Sequence, residues 1–570
     1  MKKRILSVLS VATIGVVAVV STLLLFNSCS SNKKVETLLT QIPGNMYIVA
    51  AGNVETILSS GECSIEDSKI ILPSFIKSEL DMESEEEFED INRFLKKAGI
   101  DPSAVAIANN YKQPNPYVIY GLKDKKQFID AIEDKGYSEK DENDTYTVFS
   151  KKTYESEYDS DYDNYSYIVV KDECAILLED IWVGSEFKPL DELEKFIDDA
   201  SESNYADTPF GEYILSGNAF GAVFKLPGDV KNELREKGMP SDIISMWDGA
   251  ICVRGDLEDN KCVFDVSWLD DEGNEKTNEL MKKFYDPTAQ INKNLLAYLN
   301  KNENLVFATS LKDFNWDKYI NYICNASHVS RMEMQQINAV TSYLKRLDGT
   351  MALGFGLTNG LESIAKMEYE TDVPQQFSST LIVETKEGKA KSIVNELKEL
   401  IRQNPEVGVN MEEESDGFCL NLNDVAIYVK QIDNAIIVAN HKINNDNNNP
   451  VVNIVDFENK NTLFAFAITS GNKLMKDLQL DNDITCVLTN KNDKLGATLT
   501  VEVKGGNEDG IIAKIAQLCL KIYNQSNELE QKMREYSGYN NNSYDDEYLD
   551  MDTAVVDEYY EYADSTVSCY

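Results

Sequence analysis

Asn218–Gly228 reads NAFGAVFKLPG and Asn461–Gly471 reads NTLFAFAITSG, a matched pair of apolar runs 243 positions apart. Other pairs keep the same order. Asn45-Met46-Tyr47-Ile48-Val49-Ala50 lines up with Asn304-Leu305-Val306-Phe307-Ala308-Thr309, 259 positions on. Val118-Ile119-Tyr120 with Lys123-Asp124 lines up with Leu381-Ile382-Val383 with Lys386-Glu387. Ile168-Val169-Val170-Lys171 lines up with Ile427-Tyr428-Val429-Lys430, Cys252-Val253 with Cys486-Val487, and Gly273-Asn274-Glu275 with Gly506-Asn507-Glu508. Each match is short, but the shared order and nearly shared offset read as two diverged copies of one module. The copies would span 36–290 and 294–525. The offset drops from 259 at the Ile168 pair to 243 at the Asn218 pair, so the first copy carries extra residues between Leu178 and Asn218.

Within each copy short β-type runs alternate with helical spacing. Tyr47–Ala51 reads as a buried strand after the turn Pro43-Gly44, and Val54–Leu58 starts a helix. Phe128-Ile129-Ala131-Ile132 and Ile393-Val394-Leu397-Leu400 have helical periodicity after a strand and a charged turn. Ala250–Val253 and Cys262–Val266 flank Gly255–Asn260 as a hairpin. Thr485–Leu488 and Leu495–Val503 repeat that hairpin, and the helix Ile511–Tyr523 closes the second copy. The expected fold class is α+β, two tandem modules of largely antiparallel sheet covered by helices. Glu155–Tyr167 (ESEYDSDYDNYSY) reads as an exposed acidic loop between two strands. Residues 526–570 hold 12 acidic and 2 basic residues. They read as an acidic, tyrosine-rich disordered tail, with Glu528–Arg534 extending the last helix.

The chain has 570 residues and a net charge of −42. Such an acidic balance argues against nucleic acid, which needs clustered Lys/Arg. Two histidines, His328 and His441, leave no material for a three-histidine zinc site. Met1-Lys2-Lys3-Arg4 followed by the apolar Ile5–Phe26 has the parts of a signal peptide, here 1–28. Cys29 after Ser28 reads as the lipidated cysteine of a bacterial lipobox. Phe26 stands where that box usually has Leu. The competing reading is an uncleaved membrane anchor, since the run is long enough to span. Residues 29–35 read as a polar lipidated tether. Either reading fastens the body to a membrane on its extracytoplasmic side. Removing Lys2, Lys3 and Arg4 takes the mature chain from −42 to about −45.

The lipoprotein start, the Pro43-Gly44 lead into a strand and helix, and the doubled α+β layout resemble an uncharacterised Bacteroidota lipoprotein family, domain of unknown function 4836. The resemblance covers 36–525. The family has no assigned activity, so it implies no functional residues. Secretion habits of that phylum imply O-glycosylation at Thr553 and Ser565, in Asp552-Thr553-Ala554 and Asp564-Ser565-Thr566. Ser30-Ser31-Asn32-Lys33-Lys34 lacks the acidic residues of its surface-exported lipoproteins, which favours the periplasmic face of the outer membrane.

Catalytic signals are sparse. There is no Gly-x-Ser-x-Gly elbow, His-Glu-x-x-His or Walker loop. Gly354-Phe355-Gly356 and Gly505-Gly506 read as strand and turn glycines, and both histidines as surface residues. Asp159, Asp161 and Asp163 alternate as in a calcium loop. Asn164 and Val170 replace its sixth-place Gly and twelfth-place Glu, so at most a weak calcium contact is expected. Cys252 and Cys262 are candidates for a disulfide across the hairpin, with buried free thiols the alternative. No Cys-x-x-Cys occurs, and neither a cofactor nor a metal site is expected. The sequence therefore points to a non-catalytic binding or assembly lipoprotein of the cell envelope, with an envelope protein or glycan as partner. The alternative is a glycan-directed envelope hydrolase using paired carboxylates.

Overall fold

A computed structural model describes residues 31–524, apart from 79–81, 112–114, 143, 155–163, 183–188, 285–288, 327–340, 370–374, 404–409, 423–424, 446–448, 456, 458–461, 492 and 507. The fold is mixed, 34% helix and 37% strand, and so α+β rather than all-β. Among the described residues twenty strands join in one sheet. In chain order the first are β1 (Ile48–Asn53), a separate small hairpin β2 (Ser64–Glu66) and β3 (Lys69–Ile71), β4 (Ile100–Asn109), β5 (Tyr117–Leu122) and β6 (Ser138–Glu142). Then come β7 (Thr147–Tyr154), β8 (Asn164–Val170), β9 (Cys174–Trp182), β10 (Phe220–Lys225), β11 (Ala250–Leu257) and β12 (Lys261–Leu269). After them come β13 (Leu305–Ser310), β14 (Leu347–Leu357), β15 (Phe377–Thr385), β16 (Asn410–Glu414) and β17 (Gly417–Leu422). The last are β18 (Val425–Ile432), β19 (Ala435–Ala439), β20 (Thr462–Ile468), β21 (Asp483–Asn490) and β22 (Gly496–Lys504).

Every pairing described is antiparallel. From β12 outward the order is β11, β10, β1, β4, β5, β9, β8, β7, β6. From β22 outward it is β21, β20, β13, β14, β15, β19, β18, β17, β16. The two series have the same connectivity, and β12 pairs with β22 where they meet. Both outer strands, β6 (SEKDE) and β16 (NMEEE), are charged and mostly exposed. Charge of that kind discourages pairing with another sheet edge.

Helices start where the sequence caps them. Asn53 accepts from the Thr56 N–H at the head of Val54–Ser60, and Asp124 from the Gln127 N–H at the head of Lys125–Asp134. Thr208-Pro209 and Asn449-Pro450 open two helices with a side-chain cap and a proline at the first turn. There proline's missing N–H costs nothing.

The sheet buries apolar residues on both faces. One face carries two large cores. The first contains Leu39, Val49, Tyr117, Ile176 and Cys252. The second contains Leu299, Val306, Ile382, Ile437 and Phe457. On the opposite face Lys125–Asp134 packs Phe128 and Ile132 over β7–β9. There too the helix Lys389–Arg402 packs Val394 over β17–β19.

Two expectations need correction. The tether at 29–35 is not free chain beyond Ser30. Ser31–Leu39 is a helix whose Val35, Leu38 and Leu39 are buried. Asn32 Nδ2 donates to the Leu215 carbonyl at 2.6 Å, and Lys34 pairs with Asp101 at 2.8 Å. The apolar spacing 35, 38, 39 supplies the helix face that the surrounding polar residues mask. The acidic loop is also shorter than expected, since β8 begins at Asn164. Ser166 to Val170 are buried there, which outweighs the polar composition around Tyr165.

Candidate functional site

The richest polar cluster lies at the β12–β22 junction, on the face that carries the two large cores. In the run CVFDVSW, Asp265 and Ser267 point to the same side, because side chains alternate along a strand. Register places Asp265 opposite Thr498. Those residues are 233 positions apart, as are Gly273 and Gly506, so equivalent positions of the two series face each other here. Thr498 Oγ1 donates to Asp265 Oδ1 at 3.0 Å, and Tyr213 Oη donates to Oδ2 at 3.0 Å. Lys491 Nζ donates to Asp265 Oδ2 at 2.8 Å, to Glu275 Oε1 at 2.7 Å and to Ser267 Oγ. The Arg254 guanidinium lies over the Tyr213 ring, 5.4 Å from its centre.

The electrostatics follow from these contacts. Burial pushes the Asp265 carboxyl up, but donation and charge from Lys491, with Tyr213 and Thr498 also donating, hold it below the usual carboxylate range. Burial and the neighbouring Asp265 push the Tyr213 phenol up, so it stays a donor. Asp265 and Glu275 are thus two carboxylates bridged by one ammonium. Acid–base hydrolysis needs one carboxyl of a pair kept protonated. Asp265 is shifted down, so it is not the protonated member of such a pair. The arrangement ties one strand series to the other.

A second cluster surrounds Glu303, fully buried at the entry to β13. Its Oε1 accepts from Ser378 Oγ at 3.0 Å and Thr380 Oγ1 at 2.8 Å, and lies 3.1 Å from His441 Nε2. Its Oε2 accepts from the Asn300 N–H at 2.9 Å. His441 Nδ1 lies 3.0 Å from the Lys442 carbonyl. His441 is therefore not the surface residue expected from its polar neighbours. Carboxylate and hydroxyl both face Nε2, so a relay in which an acid orients one nitrogen and the other activates a hydroxyl is not formed. Gly354 is required beside it, because a Cβ there would stand 2.5 Å from Glu303 Oε2.

Cys252 and Cys262 are not brought together. Cys252 is opposite Ser267 and Cys262 opposite Leu257, so they sit on opposite faces of the sheet, in different cores. Both are free, and burial pushes each thiol up to about 12. Cys63, Cys174, Cys324 and Cys419 are also buried and free, while Cys519 is half-buried. Cys29, Asp159, Asp161, Asp163, His328, Thr553, Ser565 and the tail 526–570 lie outside the described residues. Among the described residues no three metal-ligating side chains converge, and no helix is long and apolar enough to cross a membrane.

Sequence reasoning missed Asp265, Glu275, Lys491 and Glu303. One signal was present: an aspartate at an inward position of the apolar run CVFDVSW needs a buried partner. Nothing local says that the partner is Lys491, 226 residues away.

These features define an α+β protein built on one long antiparallel sheet. No known family and no curated protein matches the chain. Among solved structures, crystal form IV of TP0453 is similar at TM-score 0.24 and 11% identity, over 40% of this chain and 79% of that one. Crystal form I of TP0453 is similar at TM-score 0.21 and 11% identity, over 43% and 82%. Likeness of this degree says nothing about activity.

Proposed function

We propose that the protein is a lipoprotein fastened through Cys29 to the periplasmic face of the outer membrane, where it acts as a non-catalytic binding or assembly protein. We read its body as two diverged copies of one ten-strand module, joined edge to edge. Support for the duplication comes from the six sequence matches. Five of them fall on strands holding the same place in each series, and the sixth falls just after β12 and β22. The observation that carries the non-catalytic reading is the seam cluster. Its buried acid is held ionised by Lys491 and its hydroxyls are spent on hydrogen bonds within the protein. The partner would be an envelope protein or a glycan, met on the broad sheet surface.

Metabolic labelling with a radioactive fatty acid tests the anchor. Label should enter the wild-type chain and not the Cys29→Ser variant, which should keep its uncleaved amino-terminal segment. Label in neither chain overturns the lipoprotein reading. Steady release of fragments from envelope glycan by purified protein, abolished by Asp265→Asn, would replace binding with hydrolysis.

A further inference from the structure

Glu303 and His441 meet where the entry to β13, the start of β15 and the end of β19 converge. The Glu303 side chain is fully buried, while the His441 ring keeps 19% exposure and so exchanges protons with solvent. Glu303 is the charged group that faces the ring from β13. β15 presents the uncharged hydroxyls of Ser378 and Thr380, and both donate to Glu303 Oε1. The chain after β19 presents the Lys442 carbonyl, 3.0 Å from His441 Nδ1.

Each ring nitrogen therefore faces an acceptor: Nδ1 the Lys442 carbonyl, and Nε2 the Glu303 carboxylate at 3.1 Å. A neutral imidazole carries one N–H and one lone pair. With the proton on Nε2, the Nδ1 lone pair points at the Lys442 carbonyl. With the proton on Nδ1, the Nε2 lone pair points at Glu303 Oε1. The Thr380 hydroxyl lies 2.9 Å from Nε2, but its one proton goes either to Nε2 or to Glu303. Either neutral tautomer thus sets two acceptors against each other, and only the imidazolium donates on both sides. The conflict is costly here because Glu303 is shut off from water.

We propose that His441 is held as an imidazolium between Glu303 and the Lys442 carbonyl, and that loss of this proton at alkaline pH loosens the segment 441–445 from β13 and β15. The segment is tied at its start, where Asn440 Nδ2 donates to the Phe377 carbonyl at 2.8 Å. It is tied again beyond its end, where Asn449 Nδ2 donates to the Asn300 and Glu303 carbonyls. Between these ties Ile443 supplies an apolar hold in the second core, and His441 a polar one. An imidazole favoured in its charged form by the fold titrates above its unfolded value of about 6.5. Its contribution to stability is complete below that value and lost as pH rises through the folded one. This inference depends on neither the lipid anchor nor the non-catalytic reading.

The chain has two histidines, so His328→Gln leaves His441 as the single ring. Nitrogen NMR of that full chain, labelled with 15N-histidine, reads the ring's protonation directly. At pH 7.5 both ring nitrogens should show imidazolium shifts, with a titration midpoint about one unit or more above the unfolded value of about 6.5. Adding Glu303→Gln should bring the midpoint back toward that value. Amide exchange across 441–445, corrected for its intrinsic pH dependence, should be several-fold faster at pH 9 than at pH 6, and His441→Gln should abolish the difference. A lone-pair shift on either nitrogen at pH 7.5, or a midpoint at or below about 6.5, overturns the proposal. A raised midpoint with equal exchange at both pH values overturns the loosening. The ring measurement changes nothing at the site, so it decides even if Glu303→Gln does not fold.

Discussion

Asp265 is stabilised as an anion, and the sign of its effect on stability follows. Its carboxyl lies below the unfolded value of about 3.9. The contribution is therefore complete above about pH 4 and lost as pH falls through the folded value. Asp265→Asn should cost roughly 2 kcal/mol at pH 7, within the range for hydrogen bonds to charged groups. In urea titrations the difference from wild type should shrink steadily below about pH 4. A difference that stays constant down to pH 2 would mean that the carboxylate is not what matters. Glu303 makes a separate case. Glu303→Ala leaves Ser378, Thr380 and the Asn300 N–H facing an unfilled pocket. Melting should show a loss of about 3 kcal/mol, the penalty of stranding buried donors, with Glu303→Gln costing less. Equal melting of the two variants would show that the pocket tolerates an unpaired donor set.

Elements were more legible than contacts. The helices Lys125–Asp134 and Lys389–Arg402 announce themselves by periodicity, and the hairpin β11–β12 by its turn. The extra residues expected after Leu178 include the helix Pro189–Glu202, whose Leu193, Phe196 and Ile197 join the first core. Ser31–Leu39 escaped notice because its three apolar residues stand among Lys33, Lys34 and Glu36. Its register against β4 and β5 comes only from tertiary packing. The seam was illegible for a stronger reason: strand pairing between residues more than two hundred apart leaves no local trace. The same applies to thiols, since a hairpin can be read from sequence while the pairing of its cysteines depends on exact register. Cys252 and Cys262 should both remain unalkylated in native protein and both alkylate after denaturation without reductant. Mass spectrometry showing a linked pair would refute the β11–β12 register. Leu39→Ala should destabilise by about 3 kcal/mol, as expected for deleting a fully buried leucine side chain. A surface-like change below 0.5 kcal/mol would instead restore the free tether.

At the scale of the molecule, the two faces of the seam are joined by different physics. One face holds the Asp265–Lys491–Glu275 tie, and the other an apolar layer sealed by the helix Ile511–Asn524. Among the described residues the sheet is continuous between the two large cores through β12 and β22, extended by the Thr277–Lys494 bridge. Ten strands on each side have their own apolar cores, so each side can lose its structure separately once the seam is weakened. Ile511 is fully buried against the seam, and Asp265 is buried within it. Ile511→Asp places an unpaired carboxylate in the apolar layer, while Asp265→Ala removes one of the two carboxylates that Lys491 bridges on the other face. The two residues lie on opposite faces and share none of the contacts described, so each weakens the seam independently of the other. Calorimetry of wild type should show one endotherm, because unfolding of either series exposes the seam of the other. The double variant should show two endotherms, the lower one moving with single substitutions in just one series, such as Ile176→Ala or Ile382→Ala. One endotherm in the double variant, shifted by both of those substitutions alike, would mean that the two large cores unfold as one body regardless of the seam.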